Sequence, residues 1–347
     1  ERWPLFLTPA QSLTASNDAQ IHLARGGPSG LGAFGASTIT IESGADLTTA
    51  GGLQLDQGPT VTVDGVGSTL EAQAESEWGL FGLVTVNVRN GGALTTASLD
   101  LSASSSNGPE DRTEVTVEGG GAALSQTGAS TLLIGADIGN GSALITVGPG
   151  GTFSTGTGDV HLNATGVIDM VGGTVNINGP LVTQDGTINF AAGAITMVDD
   201  LDLSAGGLFG NNLTLASDRN LGVGGTTMIE PAAALVVDGG RFATGSLDAV
   251  GVFDFRRGTF ALTGDNLEIT ANGLLGNVIV LPFGSNIEVT NDVTVFGDGI
   301  VAIEGGSLTA GSLLNSGHIV LASVASRLGT PAPPDNVRNA GLVTGGG

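Results

Sequence analysis

Residues 86–96 read Val86-Asn87-Val88-Arg89-Asn90-Gly91-Gly92-Ala93-Leu94-Thr95-Thr96. The first three residues alternate apolar and polar side chains, which is the period-two pattern of a β-strand with one buried face. Asn90-Gly91-Gly92 then ends that strand, because glycine enters positive-φ turns freely. A second short strand follows at 93–96. Two strands joined by a glycine corner are the unit from which the fold is predicted.

The same unit recurs along nearly the whole chain. Four other clear copies begin at Ile39, Val61, Val115 and Ile145. Successive copies are about 18 to about 30 residues apart, the range expected of solenoid coils with unequal loops. Many copies are followed by a third short strand such as Leu99-Asp100-Leu101. Shorter or more degenerate copies occupy the following ranges: Val167–Ile177, Ile188–Met197, Leu213–Leu221, Leu235–Phe242, Phe253–Leu262, Ile279–Ile287 and Val301–Leu308. A half-copy starts at Ile319.

These repeats predict an all-β chain, a single parallel β-helix (β-solenoid) of about a dozen irregular coils. One coil cannot bury its own apolar row, but stacking on the next coil completes a continuous core. Val, Ile, Leu and Phe are expected in inward columns, and Thr, Ser and Asn in outward ones. The long, irregular coils favour a right-handed helix, since left-handed forms use strict six-residue rungs. Almost no α-helix is expected.

The repeat divides the chain into three segments. Residues 1–36 are predicted to be an N-terminal cap or assembly segment, because they open with an apolar cluster that contains aromatic residues. Residues 37–326 are predicted to form the solenoid, and 327–347 a Pro/Gly-rich C-terminal tail that cannot form a coil. The ends of a solenoid expose strand edges, which are templates for further pairing. The residues predicted to mediate assembly at these ends are Trp3, Leu5, Phe6, Leu7, Pro331, Pro333 and Pro334.

Composition and charge exclude several classes of protein. The formal net charge is −23, and all ten basic residues are arginine. Such a surface repels nucleic acid and anionic lipid headgroups, whose binding needs clustered Lys and Arg. Cysteine is absent, which excludes disulfides and thiolate zinc sites. No apolar run approaches the roughly 20 residues of a membrane span. We therefore predict no nucleic-acid partner and no membrane span.

Parallel β-helices also occur among enzymes that act on carbohydrates, so catalysis is the main rival hypothesis. The nearest candidates are Arg256-Arg257 with Asp254, and Asp199-Asp200 with Asp202. Asp254 and Arg256 would share a strand face, and two nearby carboxylates can hydrolyse glycosides. However, a solenoid with 33 acidic residues produces such neighbours by chance. We predict that the chain is not an enzyme and has no catalytic residue.

Metal and cofactor sites find little support in the sequence. His22, His161 and His318 lie far apart and lack the spacing of metal ligands. The regular Gly-Gly-x-Gly-x-Asp nonapeptide of calcium-binding rolls does not recur. We predict no metal-binding or cofactor-binding residue, and calcium at Asp-rich turns is the alternative left open.

Three sequence segments resemble the repeats of bacterial autotransporter passengers and of PEP-CTERM surface proteins: Gly91–Thr96, Gly150–Thr155 and Gly305–Leu313. The resemblance covers roughly residues 37–322 and is architectural. It implies a secreted bacterial rod engaged in adhesion, biofilm or surface assembly. Neither the C-terminal membrane barrel nor the PEP sorting tail of these families is found in the sequence. The start at Glu1 agrees with a secreted chain from which a signal peptide has been removed.

The sequence thus predicts a non-enzymatic, extracellular structural protein. We expect a bacterial surface rod or a filament subunit, joined end to end through solenoid edges and terminal segments. Such head-to-tail contacts do not close and so generate polymers. The first alternative is an adhesin that binds a surface or an extracellular glycan. The second is a β-helix polysaccharide lyase or hydrolase.

Overall fold

The computed structural model describes residues 5–23, 30–79, 81–101, 111–136, 141–323, 325–329, 337–339 and 342–345. These residues are all-β without a helix, and their parallel strands stack as a β-solenoid of about 13 turns. The predicted all-β parallel β-helix is therefore confirmed. The chain divides into two compact units: unit 1 is Glu1–Val198 and unit 2 is Asp199–Gly347.

The described residues of unit 1 form twenty strands, and the pairings among them are parallel apart from one isolated antiparallel bridge. They are β1 (Leu5–Leu7), β2 (Ser12–Ala15), β3 (Gln20–Leu23), β4 (Leu31–Phe34), β5 (Thr38–Glu42), β6 (Asp46–Thr49), β7 (Leu53–Asp56), β8 (Thr60–Asp64), β9 (Thr69–Trp78), β10 (Leu83–Arg89), β11 (Ala93–Leu101), β12 (Arg112–Glu118), β13 (Ala123–Gln126), β14 (Leu132–Ile134), β15 (Ser142–Val147), β16 (Thr152–Ser154), β17 (Val160–Asn163), β18 (Gly166–Ile177), β19 (Leu181–Gln184) and β20 (Thr187–Met197).

Three parallel ladders run through unit 1. The first contains β2, β5, β8, β10, β12 and β15 and continues into the first halves of β18 and β20. The second starts at β3 and β6, and the third at β1, β4 and β7. Long strands such as β9 and β11 bend at a corner and contribute to both the second and the third ladder.

The register of the first ladder matches the alignment of the sequence repeats. Ile39 pairs with Val61, Val61 with Val86, Val86 with Val115, and Val115 with Ile145. Each of these side chains is at most 1% exposed, so together they form one inward aliphatic column. The outward neighbours Thr40, Thr62, Asn87, Thr116 and Thr146 form the adjacent polar column. The alternation Val-x-Val therefore sets both the core and the solvent face.

One predicted anchor is wrong by a single residue. The copy placed at Val167 is in register through Ile168, which pairs with Ile145 and is 1% exposed. Val167 pairs instead with Leu144 on the outward face. Because side chains alternate along a strand, a shift of one residue exchanges the two faces. Both residues are β-branched and apolar, so the sequence alone does not distinguish them.

Glycine and small polar residues form the corners between ladders. Asn90 and Gly91 both have positive φ values, 51° and 89°, which explains why the first strand of the repeat ends there. At another corner, the buried hydroxyl of Thr96 lies 3.1 Å from that of Ser76. The Ser76 hydroxyl also accepts a hydrogen bond of 3.0 Å from the amide of Leu53. Buried polar groups at this corner are thus satisfied within the stack.

Fourteen strands are formed by the residues of unit 2 that the structure describes. They are β21 (Leu201–Leu203), β22 (Asn212–Ala216), β23 (Arg219–Ile229), β24 (Ala234–Ala249), β25 (Val252–Leu262), β26 (Leu267–Ile269), β27 (Val278–Pro282), β28 (Ser285–Val295), β29 (Ile300–Glu304), β30 (Ser307–Asn315), β31 (His318–Leu321), β32 (Arg327–Gly329), β33 (Val337–Asn339) and β34 (Leu342–Gly345). Four phenylalanines of β24 and β25 pack against one another. Phe242 and Phe260 are fully buried and their rings are stacked with centroids 5.9 Å apart, whereas Phe253 and Phe255 are half-buried.

One ladder of unit 2 is interrupted between β25 and β27. The first half of β25 pairs with β24 but not with β27, which begins a separate four-stranded sheet with β29, β31 and β34. The neighbouring ladder continues, because Phe260 pairs with Ile287. This coil spans 27 residues from Phe260 to Ile287, against 18 from Phe242 to Phe260. The longer connection moves β27 away from its expected rung.

The long connection contains a motif that sequence inspection overlooked. Leu267–Asn277 repeats Leu201–Asn211, with six of eleven residues identical. The two copies also share backbone hydrogen bonds. Gly207 and Gly273 donate to the carbonyls three residues earlier over 3.1 and 2.9 Å, and Gly210 and Gly276 do the same over 2.9 Å. The pattern Leu-acid-aliphatic-Ser/Thr-Ala-x-Gly-Leu-x-Gly-Asn thus encodes a compact turn that lengthens a coil.

The ladders extend further toward both termini than the sequence predicted. In the segment 1–36, β1, β2 and β3 pair in parallel with β4, β5 and β6. In the segment 327–347, β32, β33 and β34 pair in parallel with earlier strands. A strand as short as Leu342–Gly345 can form even where the surrounding sequence is rich in proline and glycine.

Close approach of coils makes specific glycines irreplaceable. A Cβ added to Gly52 would overlap the backbone carbonyl oxygen of Glu75, whereas one added to Gly120 would meet nothing within 4 Å. We therefore expect Gly52→Ala to lower the free energy of unfolding by about 1–3 kcal/mol, the usual cost of overpacking. Gly120→Ala is the matched control and should change it by less than about 0.5 kcal/mol. Chemical denaturation measures both, and equal effects would contradict the register at this corner.

Candidate functional site: the open strand edges

The N-terminal edge is formed by β1, β2 and β3, each of which pairs with one strand among the described residues. Their inward side chains lie on the columns of the core but are less buried than their partners. Leu5 is 38% exposed whereas its partner Leu31 is 1% exposed. Leu13 is half-buried above the fully buried Ile39. The terminal rung thus exposes both apolar side chains and one row of backbone amides and carbonyls.

The C-terminal edge is formed by β32, β33 and β34, which also have one partner each among the described residues. Val343 of β34 continues the inward column of Ile319, yet it is 41% exposed while Ile319 is fully buried. Leu328 of β32 is half-buried beside Leu308, which is 1% exposed. This edge has the same character as the N-terminal one: partly exposed aliphatic side chains and, among the described residues, backbone groups paired on one side alone.

The predicted assembly residues fall in different places. Leu5 and Leu7 are inward residues of β1, but Leu7 is only 7% exposed. Phe6 faces outward and packs over Gly32, with its ring centroid 5.7 Å from that of Phe34. Of the three, only Leu5 therefore contributes exposed core surface to the edge. The remaining predicted residues lie outside the described part of the chain: Trp3, Pro331, Pro333 and Pro334.

The carboxylates considered as catalytic candidates form isolated surface contacts. Asp254 accepts a hydrogen bond from Nε of Arg256 at 2.7 Å, so these two residues do share a strand face. Arg257 donates from Nε to Asp238 at 2.5 Å. Asp200 accepts a hydrogen bond from the amide of Thr226 at 2.6 Å. These contacts position side chains on the surface.

The three histidines lie on strands that are far apart in the sequence. Within the described ranges, no group of three or more His, Asp or Glu side chains could hold a metal ion. His22, His161 and His318 lie on β3, β17 and β31 respectively. In unit 2, a surface depression is lined by Leu247, Leu262, Leu267, Leu274 and the polar residues Asp265, Asn266, Glu268 and Asn272. It lies beside β26, which pairs in parallel with β28.

Two carboxyl groups of unit 1 have perturbed acidity. Burial raises the pKa of the Asp56 carboxyl, opposed by hydrogen bonds from the amides of Phe81 and Gln57 and reinforced by the charge of Asp111. Desolvation also raises the pKa of Glu77, helped by the charges of Asp100 and Glu75. Glu77 and Asp100 are direct partners in adjacent strands, so like charges face each other there.

The family of this chain is not shown by comparison. Protein-family models, curated proteins and solved structures give no match to it. The resemblance to autotransporter passengers and PEP-CTERM proteins therefore stays a prediction. Among the described residues, no helix has the length and apolarity required to cross a bilayer.

Neutralising Glu77 should stabilise the protein at neutral pH. Because folding raises the pKa of Glu77 above its ordinary 4.5, its favourable contribution exists below pH 4.5 and is lost as the pH rises through the folded value. Glu77→Gln should therefore raise the free energy of unfolding at pH 7 by about 0.2–1 kcal/mol. The difference should shrink below pH 4.5 and in high salt.

The matched control for this change is Glu71→Gln on the same strand. Glu71 lies between Thr48 and Thr95 and has no acidic cross-strand partner. Denaturation curves at pH 7 and pH 4 measure both variants. An equal gain for Glu71→Gln would assign the effect to net charge and contradict repulsion between Glu77 and Asp100.

Proposed function

We propose that this chain is a structural protein that polymerises with copies of itself through its two open edges. The observation that carries this proposal is the incomplete burial of inward residues on both terminal rungs, such as Leu13 and Val343. Each edge offers backbone hydrogen-bonding groups and aliphatic side chains that another rung would cover. The N-terminal edge of one copy and the C-terminal edge of another supply complementary parallel strands.

Adding a parallel strand to a terminal rung pairs its backbone amides and carbonyls and covers its exposed aliphatic side chains. Backbone groups supply the affinity and inward side chains the register. A contact between two different edges is heterologous, so it leaves one edge of each kind free for further addition. We further propose that the role is structural rather than catalytic and that the assembly serves outside the cell. The acidic composition and the repeat segments that resemble those of secreted bacterial proteins support that location.

An inward charge on the first rung should block this assembly. Leu13→Lys places an ammonium group on the core column above Ile39, where a stacked rung would have to bury it. We expect the variant to stay monomeric at concentrations at which the unmodified chain polymerises. Because the first rung is open, the lysine reaches solvent in the monomer and the β-rich circular dichroism should be retained. Sedimentation velocity measures the size distribution.

The matched control is Thr14→Lys, which makes the same charge change on the outward face of the same strand. It should polymerise as the unmodified chain does. At the other end, Val343→Lys should behave like Leu13→Lys, and Thr344→Lys like Thr14→Lys. A monomeric unmodified chain at high concentration, or equal inhibition by the inward and outward lysines, would contradict edge-to-edge assembly.

A further inference from the structure

Four of the ten basic residues of the chain lie on successive corners of unit 2: Arg219, Arg241, Arg256 and Arg257. Arg256 and Arg257 are adjacent in sequence, and yet both side chains are exposed, by 57% and 64%. The reason is a register shift in β25. Phe255 pairs with Val237 and Arg257 with Asp238, so Arg256 is an extra residue of a β-bulge. The bulge turns two consecutive guanidinium groups toward solvent.

Each of these two guanidinium groups is held by a carboxylate at one atom only. Nε of Arg256 contacts Asp254 at 2.7 Å, and Nε of Arg257 contacts Asp238 at 2.5 Å. No partner of their Nη atoms is found in the described part of the chain. A guanidinium fixed through Nε keeps its two Nη groups for bidentate contact with an anion. The carboxylates thus orient the arginines without occupying the edges that recognise ligands.

An exposed aromatic ring lies one rung away on the same corner. Phe283 follows β27 and is 83% exposed, which is costly for so large an apolar side chain. The amide of Gly258 donates to the carbonyl of Gly284 at 3.0 Å, and the hydroxyl of Ser285 donates to the carbonyl of Arg256 at 3.3 Å. These bonds join the backbone of the arginine corner to that of the phenylalanine corner.

Further exposed apolar side chains lie on the outward face of β27 and on β25. Val278 and Val280 are 54% and 50% exposed, and Val252 of β25 is 56% exposed. The corresponding outward column of unit 1 is polar, as at Thr62 and Asn87. Several exposed apolar side chains on one strand face, near charged groups, are typical of a binding surface.

We propose that the corner formed by Arg256, Arg257 and Phe283 binds an acidic polysaccharide. The two Nη edges take its carboxylate or sulfate groups, and the phenyl ring packs against the apolar C–H face of a sugar. Among the described residues, this corner combines paired free guanidinium edges with an exposed aromatic ring. On a chain with a net charge of −23, an acidic polymer is repelled elsewhere, which confines its binding to this corner.

Affinity electrophoresis tests the proposal with defined polymers. Native gels containing polygalacturonate, dextran sulfate or unmodified dextran separate the carboxylate, sulfate and neutral sugar contributions. The unmodified chain should be slowed by at least one acidic polymer and not by dextran. The double variant Arg256→Gln/Arg257→Gln should bind about tenfold more weakly, since two charge-assisted contacts are lost. Added salt should weaken the binding of the unmodified chain.

Two further variants make the result specific to the corner. Phe283→Ala removes the ring without touching either ion pair and should also weaken binding several-fold. Arg89→Gln is the matched control, because Arg89 is a 42% exposed, ion-paired arginine of unit 1. It should bind as the unmodified chain does. The proposal is overturned if neither acidic polymer slows the chain, or if Arg89→Gln weakens binding as much as the double variant.

Discussion

The register of the parallel backbone ladders is the constraint on which the structure depends. An aliphatic side chain such as Val61 is buried only when Ile39 and Val86 lie directly beside it in neighbouring coils. A slip of one residue would bring the threonine column into the core. Glycine corners with positive φ allow each coil to return to that register despite lengths between 18 and 30 residues. Length variation is therefore confined to the turns.

The same constraint explains where the molecule is incomplete. A rung is satisfied only by neighbours on both sides, and among the described residues the first and last rungs have a neighbour on one side. The lengthened coil in unit 2 produces a second irregularity, at which β27 leaves its expected ladder. A bulge at Arg256 and an exposed ring at Phe283 lie at the adjoining corner. Proposed assembly and proposed ligand binding thus both arise where regular stacking stops.

Much of this fold can be read from the sequence, because period-two alternation and glycine corners are local signals. The anchors at Ile39, Val61, Val86, Val115 and Ile145 give the observed register directly. The one-residue error at Val167 arose because two adjacent β-branched residues fit either face equally well. The strands near the termini were missed for a different reason: their pairing depends on partners distant in sequence and not on a strong local pattern.

The candidate sites were less predictable than the fold. Arg256 and Asp254 were identified as neighbours on one face, and they are. What the alternation could not show is the bulge that exposes Arg257 as well, since a bulge depends on the register of the partner strand. The recurrence of the Leu201–Asn211 motif at Leu267–Asn277 was a visible signal that could have located the break.

Hydrogen exchange of backbone amides at low and high protein concentration shows whether the terminal rungs are open and whether association covers them. Amides of inner strands such as β8 should be protected at both concentrations. The amides of β2 and β34 that point away from their partner strands β5 and β31 should exchange rapidly in dilute solution and become protected only when the protein is concentrated. Protection of these outward-pointing amides in the dilute monomer, or their rapid exchange in a concentrated assembly, would contradict open terminal rungs.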